Sequence, residues 1–96
     1  MTTREMLQEK REEILALAAK HKAKHVRVFG SVARGEDGPE SDVDFLVDFE
    51  PGTRLMEKLR LMVELEDLLG RRVDVLSEPS LDPLVREQAQ KEAVAL

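Results

Sequence analysis

Asp42 and Asp44 are separated by one residue within the stretch VFGSVARGEDGPESDVDFLVDF, Val28 to Phe49. On an extended strand that spacing points both carboxylates to the same side, with α-carbons roughly 6.5 to 7 Å apart. Like charges that close raise each other's pKa unless a cation intervenes, and Mg²⁺ is the hard cation that carboxylates and phosphates share. Asp74 repeats the signal, because it interrupts the apolar run VDVL, where an unpaired buried charge is expensive. If its strand neighbours the one carrying Asp42 and Asp44, the three acids form a site for one or two divalent ions.

Gly30 and Ser31 supply a second half. A glycine lets the backbone pass close to a phosphate, and a helical turn after it offers unpaired N–H groups and the positive end of a dipole, to which the Ser31 hydroxyl adds a donor. Arg34, one turn on, is a candidate for the same anion. A triphosphate gripped by Gly30, Ser31 and Arg34 and bridged by Mg²⁺ to the aspartates is set up for in-line phosphoryl or nucleotidyl transfer.

These residues need elements to hold them. Arg4 to about Lys20 reads as one amphipathic helix, with Leu7, Ile14, Leu15, Leu17 and Ala18 on one face and a basic end. Val26 to Phe29 reads as a strand stopped by Gly30, with Ser31 as N-cap of a short turn through Arg34 that Gly35 closes. Asp42 to Asp48 alternates as a second strand, Val43, Phe45 and Val47 on one side and Asp42, Asp44, Leu46 and Asp48 on the other. Thr53 is the expected cap of a helix through Leu69 with an apolar stripe of Leu55, Leu59, Met62, Val63, Leu65 and Leu69, stopped by Gly70. Val73 to Leu76 is a third strand, and Asp82-Pro83 starts a last short helix from Leu84 to about Ala93. The order α-β-turn-β-α-β-α predicts an α+β domain, a small mixed β-sheet flanked by helices on one or both faces, over residues 1–96 as a single domain. The helix before the third strand is long enough for a parallel crossover.

Composition narrows what such a domain does. Ninety-six residues hold one modest core, and 42% hydrophobic with 36% charged residues describes a folding chain rather than a disordered one. Fifteen basic against twenty acidic side chains leave a net charge of -5, against broad binding to a nucleic-acid backbone. Three Phe with no Trp or Tyr provide few platforms for stacking bases. The absence of cysteine excludes thiol chemistry and disulfides, and no apolar run approaches the ~20 residues of a membrane span. A cytoplasmic, membrane-free protein is the expectation.

With those residues in view, GSVARGEDGPESDVDFLV resembles the signature of the DNA polymerase beta-like nucleotidyltransferase superfamily: Gly-Ser, a variable loop, Asp-x-Asp, and a third acid on a later strand where Asp74 stands. The wording is most similar to the minimal nucleotidyltransferases, and the resemblance covers Val26 to about Leu76. It implies the nucleotidyltransferase fold and Mg²⁺-dependent transfer of a nucleoside monophosphate, usually AMP from ATP, to an acceptor hydroxyl. By carry-over, Asp42 and Asp44 hold both metals, Asp74 holds the metal at the attacking hydroxyl and takes its proton, and Gly30 and Ser31 grip the leaving phosphates. The resemblance also implies a helical HEPN-domain partner, a toxic ribonuclease neutralised in some cases by adenylylation of a tyrosine. Larger relatives carry a further helical region for the acceptor, so here the acceptor pocket is expected from a partner or a second subunit, and an oligomer stays open.

Other readings compete. A binding module that neutralises its partner by occlusion, using nucleotide only as a structural ligand or not at all, is the main alternative; transfer to a small molecule or an RNA end is a third. Asp48, on the same strand face near the turn, reads as a solvated end rather than a ligand. His21 and His25 have no acid or nucleophile beside them in sequence and read as surface or helix-capping residues. Met56 and Met62 read as core or interface packing.

Overall fold

Val43, Phe45 and Val47 alternate along one side of strand β2 (Val43–Phe49), and all three are almost completely buried. That alternation buries one face of the strand and sets the position of everything else. The structure, a computed structural model, describes residues 2–96. In chain order the elements are α1 (Thr3–Glu9), α2 (Arg11–Lys20), β1 (Ala23–Phe29), α3 (Ser31–Arg34), β2, α4 (Leu55–Leu69), β3 (Val73–Leu76), a 3₁₀ turn at Glu78–Ser80, α5 (Pro83–Glu92) and β4 (Val94–Ala95). The sheet order is β3-β2-β1-β4, with β1 antiparallel to β2 and to β4 and β2 parallel to β3. The expected α+β architecture and mixed sheet are therefore present. Helix α4 is the connection that parallel strands require.

The core lies on one face of the sheet. Leu7, Ile14 and Ala18 from α1 and α2, Leu61, Leu65 and Leu69 from α4, and Val32 from α3 form one cluster with Val28, Val43, Phe45, Val47, Val73 and Val75. Leu46 and Ala89 are buried outside that cluster. The inner residues of α4 recur every four positions, as one side of a helix must.

Several expectations shift. The N-terminal helix is two helices, because Lys10 departs from helical geometry (φ -98°, ψ 12°), and α1 has its own start in a capping box of Thr2 and Glu5. No Gly or Pro marks that break. The first strand begins earlier, at Ala23, and carries an irregularity between Lys24 and Arg27 where His25 takes φ 52°, a bulge that the residue pattern does not announce. Gly30, not Ser31, is the N-cap of α3, and Ser31 is its first helical residue with no side-chain capping bond. Arg54 rather than Thr53 precedes α4; the Thr53 hydroxyl instead donates to the Glu50 carbonyl at 2.6 Å. The Gly35 and Gly70 stops are as expected, both left-handed. Asp82 accepts from the Leu84 amide with Pro83 at the first helical position.

Two corrections concern faces. Leu55, Leu59 and Val63, expected in the buried stripe of α4, are exposed together with Met56, while Leu61 is fully buried in their place. The helix carries two apolar stripes, and the sheet covers only the one through Leu61, Leu65 and Leu69. Of the two roles read for His21, helix capping holds and surface exposure does not. It stands at the C-cap of α2 and is buried, its Nδ1 2.7 Å from Glu57 Oε2 and its Nε2 against Glu64 Oε2. The hydrogen bond from His21 holds the Glu57 carboxyl below its ordinary range, and those from Lys20 and His21 do the same for Glu64. His25 is exposed and paired with Asp48 at 2.8 Å, and Asp48 also takes Arg27 at 3.1 Å.

Candidate active site

Asp44 is the cross-strand partner of Phe29 on one side and of Asp74 on the other. Paired residues on neighbouring strands present their side chains to the same face, about 4.8 Å apart in the hydrogen-bonding direction. This is the face away from the core cluster, since Val28, Phe45 and Val75 alternate to the other side. Two of the three acids singled out by spacing are thus set side by side by strand register.

Their charges are not independent. Asp44 is pushed up from an ordinary 3.8 to about 6, first by burial, then by the neighbouring charges of Asp74 and Asp42, with Arg34 opposing. A carboxyl raised by desolvation and like charges is one whose ionised form a nearby cation would favour. Carboxylate oxygens are the hard donors that suit Mg²⁺ chemically. Asp42 sits one residue before β2 and is half exposed, its Oδ1 3.3 Å from Arg72 Nε. Among the described residues no three carboxylates or imidazoles already converge closely enough to hold an ion.

Gly30 follows β1 directly and has φ 76° and ψ -152°. A β-carbon there would stand 3.3 Å from Asp44 Cγ and closer still to its Oδ2. The glycine is thus required twice, by a backbone angle that L side chains rarely adopt and by the Asp44 carboxylate lying against it. The backbone at Ser31 opens α3, and the first amides of a helix have no partner within it. Gly30, Ser31 and the Asp44–Asp74 pair therefore share one corner of the sheet.

Arg34 is engaged, its Nε 3.1 Å from Glu36 and its Nη1 3.0 Å from Glu92 on α5. Those two hydrogen bonds raise its already high pKa. It lines a hollow of about 130 Å³ with Phe29, Gly30, Val85 and Gln88, so it borders the glycine corner while committed to two acids. Reading the residues in order passed over Arg72, which partners Asp42, and Arg71 beside it. Two arginines immediately before a strand that carries a candidate ligand were the available signal.

Residues 9–96 match the Nucleotidyltransferase domain family. The chain is 41% identical over 88 residues to a candidate protein adenylyltransferase, MJ0435, of Methanocaldococcus jannaschii, covering 92% of this chain and 95% of that one. It is 38% identical over 91 residues to the protein adenylyltransferase MntA of Thermococcus cleftensis, covering 86% and 92%. A solved structure of a candidate minimal nucleotidyltransferase superposes with a TM-score of 0.86 at 53% identity, over 96% of this chain and 94% of that chain. A chain in the complex of tri-AMPylated Shewanella oneidensis HEPN toxin with MNT antitoxin shares the fold, with a TM-score of 0.70 at 19% identity, covering 92% of this chain and 69% of that one.

Proposed function

The chain belongs to the nucleotidyltransferase domain family, and on that premise we propose that it transfers AMP from ATP to a hydroxyl of a partner protein. The observation that carries this reading is the register that sets Asp44 beside Asp74 at the corner formed by Gly30 and Ser31. Residues 1–96 act as one minimal domain in this reading.

Asp42, Asp44 and Asp74 would hold one or two Mg²⁺ ions, for which Asp42 would have to exchange its Arg72 contact. When bound, the metal neutralises the charge that develops on the transferring phosphoryl group and lowers the pKa of the attacking hydroxyl. Gly30 and Ser31 grip the leaving phosphates through backbone amides and the hydroxyl. Arg34 reaches the same phosphates once released from Glu36 and Glu92. The acceptor oxygen bonds to the α-phosphorus as the bond to the β-phosphate bridging oxygen breaks. Asp74 takes the hydroxyl proton, and pyrophosphate leaves.

The acceptor we propose is a tyrosine of a helical HEPN-type toxin, with this chain as the antitoxin in the cytoplasm. Two supports converge: relatives named as protein adenylyltransferases and a shared fold with a chain of an AMPylated toxin–antitoxin complex. No helix of the described residues is long and apolar enough to cross a membrane. Neutralisation by occlusion, without transfer, is the competing reading.

The test is incubation with Mg²⁺, ATP labelled on the α-phosphate, and the candidate toxin. Label on a toxin tyrosine that disappears with Asp42→Asn and Asp44→Asn together supports transfer. A double variant that folds, binds the toxin and still neutralises it establishes occlusion instead.

A further inference from the structure

A half-buried side chain ties together the segments that deliver Asp42 and Asp74 to the candidate site. Arg71 precedes β3 and donates from Nη2 to the carbonyls of Ser41 at 2.6 Å and Gly38 at 3.1 Å. Its Nη1 donates to Thr3 Oγ1 at 2.7 Å and lies 3.6 Å from Asp37 Oδ2, and the Thr3 hydroxyl itself donates to Asp37. The turn it grips is closed on itself: Gly38 N–H donates to Ser41 Oγ, and Ser41 N–H to the Gly38 carbonyl. Ser41 is the residue before Asp42.

Two features set this contact apart from ordinary loop packing. The Arg71 side chain is 16% exposed and its Nε is buried with no hydrogen-bond partner. A desolvated guanidinium with an unsatisfied donor is a poor device for stability alone. The planar fork also meets two backbone carbonyls and a hydroxyl at once, a geometry that a lysine ammonium does not reproduce. Beside it, the Val43 amide donates to the Arg72 carbonyl at 3.0 Å, so the same two residues fix both the turn before Asp42 and the start of β2.

We propose that Arg71 is a positioning residue that, by holding the Ser41 carbonyl, fixes the backbone from which Asp42 turns toward Asp44 and Asp74 when a cation binds. The inference rests on the reading of those acids as the cation site. Partners that orient metal ligands without touching the metal typically change its affinity by about 10- to 100-fold. Arg71 acts here through the backbone, and its effect falls on cation binding before it falls on ATP binding.

The experiment measures Mn²⁺ binding by electron paramagnetic resonance to the unaltered protein, Arg71→Gln, Arg71→Lys and Asp44→Asn, with circular dichroism to confirm folding. Arg71→Gln is expected to weaken Mn²⁺ about tenfold or more, with Arg71→Lys in between. The Mg²⁺ concentration for half-maximal rate should rise in parallel while the KM for ATP at saturating Mg²⁺ changes little. Folded Arg71→Gln with unaltered Mn²⁺ affinity, alongside an Asp44→Asn that has lost it, overturns the positioning role. If Asp44→Asn itself keeps full Mn²⁺ affinity, the acid site fails and this inference falls with it. Should Arg71→Gln not fold, Thr3→Val removes one partner of the guanidinium and is expected to weaken Mn²⁺ in the same direction; no change there also overturns it.

Discussion

Gly30 and Asp44 occupy each other's space: the carboxylate of Asp44 lies where a side chain at residue 30 would begin, with Cγ 3.3 Å from the position of a β-carbon. The Gly30 corner and the acid pair are therefore one arrangement. Gly30→Ala is expected to destabilise the fold by more than about 1 kcal/mol, from its positive φ alone. It should also displace Asp44 and abolish cation binding. Urea unfolding and Mn²⁺ titration check both, and a variant with unaltered cation affinity refutes the steric link.

The Asp44 carboxyl gives the stability of the protein a pH signature. With a folded pKa of about 6 against an ordinary 3.8, the folded chain holds more protons than the unfolded chain between those values, so stability falls as pH rises through that window. Above it, the ionised group is a cost that a bound cation offsets. In cation-free buffer the Tm contribution of this group is expected to decline from about pH 4 to about pH 6, and Asp44→Asn should remove it. Mg²⁺ should raise Tm above that window and have little effect below it. Equal Mg²⁺ stabilisation at both ends would contradict the assignment.

Arg34 is held by Glu36 and Glu92 at the edge of the proposed phosphate site. Arg34→Gln should weaken ATP roughly tenfold, the loss of a charge-assisted hydrogen bond. Glu92→Gln, which frees one guanidinium nitrogen, should tighten it. Calorimetric titration with a non-hydrolysable ATP analogue reads both signs. Weakening in Glu92→Gln would mean that the ion pair itself shapes the pocket.

The two stripes of α4 predict opposite outcomes for similar substitutions. Leu61→Ala, in the core, should cost about 2–5 kcal/mol. Leu59→Ala, on the outer stripe, should change stability by no more than about 0.5 kcal/mol. Chemical denaturation of the isolated protein separates them. A large cost at Leu59 would place that stripe in an interface.

Local patterns were legible where neighbours a few residues apart decide the outcome. The alternation of Val43, Phe45 and Val47 against Asp42 and Asp44, the left-handed stops at Gly35 and Gly70, and the Asp82-Pro83 start each follow from backbone geometry within one turn or one pleat. So did the candidate acids, because charges at strand spacing in apolar surroundings are costly wherever the strand lies. Tertiary structure alone decided which segments meet. The Asp44–Asp74 pairing depends on the register of parallel strands joined through α4. The hold of Arg71 on Ser41 spans thirty residues, and His21 finds Glu57 and Glu64 across two helices. Strand β4 pairs with β1 over only two residues, Arg27 with Ala95 and Val28 with Val94, too few for a periodic signal. On α4 the periodicity fits either apolar stripe, and what selects Leu61, Leu65 and Leu69 is the sheet they can cover. Burial is a property of two surfaces, and a sequence read along one element describes only one of them.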